Sequence, residues 1–170
     1  MNIFYLDSHP RICAENHCDK HCVKMILEYA QLLSTAHRVL DGNENKELPD
    51  DRQDVLYKAT HVNHPSAVWV RQNSANYKWL YKMWMHLLFE YSFRYNKMHK
   101  SAFLSVYLED LPVNIPTGEF TEPTLAMPDE CKLHGVSHVE SYRNYYNKEK
   151  AYMAKWNYTA PPMWFGEQYA

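Results

Sequence analysis

The chain has 170 residues, of which 46% are hydrophobic and 15% aromatic, with only four glycines and a formal charge of −2. That size suits a single domain, residues 1–170, able to bury a proper core. Many large rings and few glycines exclude a Gly-punctuated β-barrel or a nucleotide-binding βαβ array with its phosphate loop, and the charge excludes a global basic footprint for nucleic acid.

Asn2 to Leu6 is short, apolar and aromatic, and the turn-forming Asp7-Ser8-His9-Pro10 bounds it. It reads as a strand or extended segment against the core. Pro10 suits the first turn of a helix, with Ser8 or Asp7 as its cap. The spacing then predicts one long helix from Cys13 to Arg38, ending near Asp41-Gly42 with Gly42 as a left-handed terminator. Cys18, Cys22, Met25, Ile26, Tyr29, Leu32, Leu33 and Ala36 fill a broad apolar arc on it. A narrow polar seam remains: His17, His21, Lys24, Glu28, Gln31 and Thr35, spaced 4, 3, 4, 3 and 4 apart and so stacked on one face.

A solvated stripe is the ordinary meaning of such a seam. Its residue types point further. Histidines that can titrate near neutrality, and a lysine in line with a glutamate, are what proton transfer needs. His17 and His21 are also one turn apart, yet Cys18 and Cys22 lie well round the helix and no second pair with ligand spacing follows, so no metal and no cofactor is assigned. The four cysteines read as small, reduced core residues.

Asp41 to Asp54 holds six acids and two bases, a local −4, and reads as an exposed acidic loop over residues 41–54. Val55 to Thr60 is expected to hold a turn of helix. In Thr60 to Ser66, His61, Asn63 and His64 precede a proline that would open the next helix, a place that favours anions. A short helix over Ala67 to Arg71 carries Trp69 and Arg71. Ser74 would cap a long helix to Asn96 or Lys97, whose Tyr77, Tyr81, Trp84, Leu88, Tyr91 and Tyr95 form a stripe that is core by default and a base-stacking platform in the sharper reading. Residues 111–135 contain four prolines and read as an irregular loop. Ser137 to Glu140 matches a capping box for a last helix to about Trp156, and the Pro161 to Phe165 tail should pack back. The expected fold is all-α, about four helices with a short N-terminal extended segment and a long Pro-containing loop. No run of about 18 apolar residues and no signal-peptide segment is present, which predicts a soluble, unexported protein with no membrane partner.

The phrases NIFYLD, DKH..KMILEYAQLLSTAHR, THVNHPSAVW, NYKWLY, AMPDE and YRNYY resemble a family of small proteins of tailed phages across nearly the whole chain. That resemblance implies a phage origin and the host cytoplasm as its place, and implies no activity. Asp19-x-His21 followed by Glu28 is similar to the helix of the phage pyrimidine-dimer DNA glycosylases, where an Asp-x-His segment precedes the catalytic glutamate. The resemblance implies Glu28 as the catalytic carboxylate and His21 as its neighbour. The sequence departs from that family at position 2, where Asn leaves Met1 in place of an exposed small-residue amine, and in the arginines around the glutamate, with Leu27 among the substitutes. Lys24, one turn before Glu28, would then be the amine.

The leading expectation is a protein that acts on or binds a nucleobase, nucleotide or nucleic acid. If an enzyme, it would cleave an N-glycosidic bond through Glu28, Lys24, His21 and His17, with Gln31, Thr35, His61, Asn63, His64, Arg71 and Trp69 as ligand contacts. The alternative is a non-catalytic phage binder that sequesters a nucleotide signal or a host protein.

Overall fold

The computed structural model describes residues 1–166. Seven α-helices lie among the described residues, α1 Pro10–Asn16, α2 Asp19–Asp41, α3 Arg52–Val55, α4 Pro65–Gln72, α5 Ser74–Tyr95, α6 Ser105–Leu108 and α7 His138–Tyr145. Short 3-10 turns cover Lys100–Leu104 and Asp129–Cys131, and a π turn covers Tyr146–Lys150. The class is all-α, with more helices than the four expected and no strand among the described residues.

The long helices α2 and α5 pack on one another, with α1 laid on α5 and α4 against both. One hydrophobic cluster runs from Ile3 to Trp164. The tyrosine and tryptophan stripe of α5 belongs to the core: Tyr77, Trp84 and Tyr91 are buried, Tyr81 and Tyr95 are half-buried against them, and polar tips reach backbone carbonyls. The Tyr77 hydroxyl donates to Leu108 O, that of Tyr81 to Ser105 O, and the Trp84 indole to Ile26 O at 3.0 Å on α2. Amphipathic rings thus fill the space between helices without stranding a polar atom.

The expected opening helix is in fact two. His17 and Cys18 are extended (ψ 130° and 163°), separating α1 from α2. The cause is a side chain competing with its own backbone: the His17 imidazole Nδ1 takes the Cys13 carbonyl at 2.7 Å, the acceptor that a continuing helix would give to the His17 amide. The ends so exposed are satisfied from elsewhere. Arg94 of α5 donates to Glu15 O and His17 O, the Trp156 indole to Asn16 O, and the Asp19 amide donates to Lys155 O.

Histidine supplies three of the caps. Nδ1 of His9, His64 and His99 accepts the amide two residues on, opening α1, α4 and the Lys100–Leu104 turn. Serine and aspartate were the expected caps of α1, and Ser74 that of α5; Asn73 holds the latter role, its side chain accepting from the Asn76 amide. Gly42 does follow α2, but in an extended conformation with φ −83°. A Cβ there would stand 2.3 Å from Arg38 O, so close approach, not a left-handed turn, requires glycine.

The acidic loop exposes Glu44, Glu47, Asp50, Asp51 and Asp54 and is anchored from beneath. Arg38, 4% exposed, donates to the carbonyls of Lys46, Gln53, Leu56 and Tyr57 and to the Gln53 side chain, so residues 46–57 wrap one buried guanidinium. The helical turn expected over 55–60 lies instead at α3. Ser137 caps α7 as expected, accepting from the Val139 amide, while the Glu122 carboxylate, not that of Glu140, completes the cap. The helix stops at Tyr145, short of Trp156. Trp164 packs back into the core.

Candidate functional site

The seam divides into three environments. His17 is fully buried with both ring nitrogens engaged: Nδ1–H donates to Cys13 O, so Nε2 accepts from the Tyr29 hydroxyl at 2.7 Å, and that oxygen in turn accepts the Phe4 amide. His21 is buried beside it, its Nδ1 2.6 Å from the Tyr146 hydroxyl and its ring stacked on Phe4 at 4.2 Å. Burial pushes the His17 pKa down to about 4 and that of His21 to about 3, the latter helped by His17 and by Lys150, Lys24 and Lys20. Both rings are neutral at physiological pH, which differs from the expected titration near neutrality.

Lys24 stands exposed, and Glu28 and Gln31 are half-buried. Thr35 is buried, and its hydroxyl accepts from the Thr60 amide at 3.2 Å. It therefore meets the 60–64 turn, some eleven residues or about 16 Å along α2 from Lys24. Distance along the helix separates Lys24 from Thr35 and the 60–64 turn, while Gln31 stays one turn from Glu28.

On that turn, His61 is exposed at φ 48° with its ring on the Thr60 hydroxyl, Asn63 is exposed, and His64 caps α4. Arg71 donates to Val62 O. Trp69 is core: its indole donates to Thr121 and its ring meets Trp79 and Phe120 edge-on. These residues hold the turn to the body through backbone carbonyls and caps.

A different constellation gathers where α2 ends. His37, Asp50, Asp51, Arg52, Tyr107 and Asp110 line a cleft of about 430 Å³, its remaining wall being Val106, Leu111 and Val113. Arg52 sits at its centre. It donates to Asp41 at 2.7 Å, to both carboxylate oxygens of Asp50, and to Nδ1 of His37 at 2.9 Å. A guanidinium can only donate, so His37 accepts at Nδ1 and carries its proton on Nε2. That proton goes to the Tyr77 hydroxyl at 2.8 Å, which donates to Leu108 O. The chain Arg52, His37, Tyr77, Leu108 thus has every proton assigned by its partners.

Electrostatics fix the same state. Burial, then the adjacent Arg52 charge, pushes His37 down to about 4. Burial would raise Asp41, but hydrogen bonds from Arg52, the Val113 amide and Asn114 outweigh it and hold the carboxyl below its usual range. Asp50 is lowered chiefly by its bond to Arg52, whose own pKa is raised in return. With three aspartates against one arginine and a neutral imidazole, the lining carries −2. It therefore favours hydrogen-bond donors or cations over anions. Among the described residues no group of three His, Cys, Asp or Glu converges as metal ligands, and no helix is long and apolar enough to cross a membrane.

Sequence reasoning passed over this cleft, although a signal was present: His37 and Asp41 stand at i and i+4 on α2, and the one arginine of the acidic segment faces them. No protein-family model matches the chain, and no curated protein or solved structure matches it either.

Proposed function

We propose that the chain is a phage-encoded, non-catalytic binding protein that sequesters a nucleobase-bearing small molecule, base first, in the cleft between the end of α2 and α6. The observation that carries this reading is the fixed Arg52 and His37 pair, held from behind by Tyr77, in the lining of a cleft of about 430 Å³, within the usual few-hundred-Å³ range of small-molecule sites. Asp50, Asp51 and Asp110 offer acceptors to the amino and imino groups of a base edge. Tyr107 and the aliphatic wall offer apolar cover to its face. The same carboxylates repel phosphate, so the base or nucleoside end enters and any phosphates stay outside.

Calorimetric titration with a panel of nucleosides and nucleotides tests it, with mass spectrometry of the recovered ligand. Bases bearing an exocyclic amine should bind and be recovered intact, and Asp110→Asn or Tyr107→Ala should weaken binding tenfold or more. Absence of binding across the panel overturns the proposal. The enzymatic reading rests on Lys24 and Glu28 lying one turn apart on α2. Release of free base by the wild type, lost in Glu28→Gln, would put N-glycosidic cleavage in place of sequestration.

A further inference from the structure

The C-terminal half of α5 turns a row of apolar side chains to solvent. Phe89 is 64% exposed and Phe93 70%, while Met98 and Phe103 across from them are 79% and 58% exposed. Between the helix and the 98–105 segment runs a groove of about 360 Å³ lined by Met85, Phe89, Met98, Ala102 and Phe103, among others. Core packing explains none of these rings, and a contiguous patch of this kind on a protein surface marks a place where something binds.

Its surroundings say what. From Ser74 to Leu104 the chain carries Lys78, Lys82, Arg94, Lys97 and Lys100 against the single acid Glu90, a local +4, so the remainder of the chain carries −6 of the total −2. Arg94 and Glu90 are spent on each other and on Asp19. The four lysines are exposed. Lys78 and Lys82 stand on the same face of α5 as Phe89 and Phe93, two or more turns nearer its start, and Lys97 and Lys100 follow its end. The apolar groove is thus bracketed by positive charge at both ends on an otherwise acidic molecule.

We infer that this groove docks an acidic amphipathic helix of another protein, its apolar anchors at helical spacing seated between α5 and the 98–105 segment and its carboxylates meeting Lys78 and Lys82 at one end and Lys97 and Lys100 at the other. A second copy of the chain fits poorly, because two such faces would bring eight lysines together. An anionic bilayer would attract the lysines but repel the remaining −6, and a flat surface leaves the groove unfilled. The groove and the cleft share no lining residue, so the inference does not depend on what the cleft binds.

The test uses the full chain and three probes: a fluorescent helical peptide with Leu and Phe at i, i+4 and i+7 flanked by glutamates, the same peptide flanked by lysines, and vesicles of phosphatidylcholine and phosphatidylglycerol. The glutamate peptide should bind, weaken at least tenfold in Phe89→Ser/Phe103→Ser, and weaken similarly in Lys82→Glu/Lys97→Glu; the lysine peptide should not bind the wild type. All four substituted side chains are exposed, and an unchanged circular dichroism melt confirms that the variants fold. Equal affinity for both peptides, binding to the vesicles alone, no binding at all, or a self-association seen by ultracentrifugation and abolished by Phe89→Ser/Phe103→Ser would each overturn the inference.

Discussion

The two ends of α2 hold histidines that are alike in burial and differ in what lies beside them. At the start, His17 and His21 are sealed under Phe4, Tyr29 and Tyr146 and serve the fold. At the other end His37 is equally neutral and, at 1% exposed, equally enclosed, yet an open cleft with charged neighbours lies against it. Spacing along a helix tells which side chains share a face; it does not tell whether that face meets water, a neighbouring ring or a cavity. The lesson is that a row of ionisable groups becomes a candidate site only where a cavity opens beside it.

Acid separates the shared property from the difference and should have the largest effect. The folded state holds His17 and His37 near pKa 4 and His21 near 3, against about 6.5 when unfolded. Below pH 6.5 the unfolded chain takes up protons that the folded chain refuses, so stability falls as pH drops from 6.5 through 4. Each histidine withdraws on the order of 3 kcal/mol at the bottom of that window, together enough to unfold a domain of about 5–15 kcal/mol. Urea midpoints measured at half-unit pH steps should decline throughout; a flat profile between pH 6.5 and 4.5 would mean that the rings are not sealed.

At the α2 start, Arg94→Met should cost about 3–5 kcal/mol, because it leaves Asp19, Glu90 and two helix-end carbonyls without their buried cation. At the other end Arg52→Met should cost less, about 1–3 kcal/mol, since Asp50 is open to water and the enclosed Asp41 keeps its hydrogen bonds from Val113 and Asn114, while abolishing base binding in the cleft. Denaturant titrations of the pair compare the two ends directly, and equal losses would erase the distinction between a structural and a binding cation. Smallest of all, Glu28→Gln should shift stability by less than about 0.5 kcal/mol and leave nucleoside binding unchanged.

Much of the architecture was legible in the residues. The all-α class, the burial of the α5 ring stripe, the α4 start at Pro65 and the return of Trp164 follow from periodicity, proline position and composition. The break after α1 did not, because no glycine or proline marks it; it depends on the His17 ring finding Cys13 O and on Arg94, 77 positions away, accommodating the severed end. The acidic segment carries its carboxylates outward, with Glu44, Glu47, Asp50, Asp51 and Asp54 exposed. What its charges did not announce is the anchoring beneath, where Arg38 and Arg52, each surrounded by partners from distant positions, bind the segment to the body.

The extended start of the chain has a consequence for how the protein comes to exist. Ile3 to Leu6 is enclosed by partners from both ends of the sequence: Phe4 stacks on His21 and gives its amide to the Tyr29 hydroxyl, and Tyr5 meets Trp79, while Tyr142, Tyr145 and Tyr146 close over Phe4 and Arg143 donates to Leu6 O across 137 positions. During synthesis the segment therefore meets its first partners early and its last ones late, and a message truncated before codon 140 should yield a product with Phe4 uncovered on one side, which proteases clear instead of a smaller working protein.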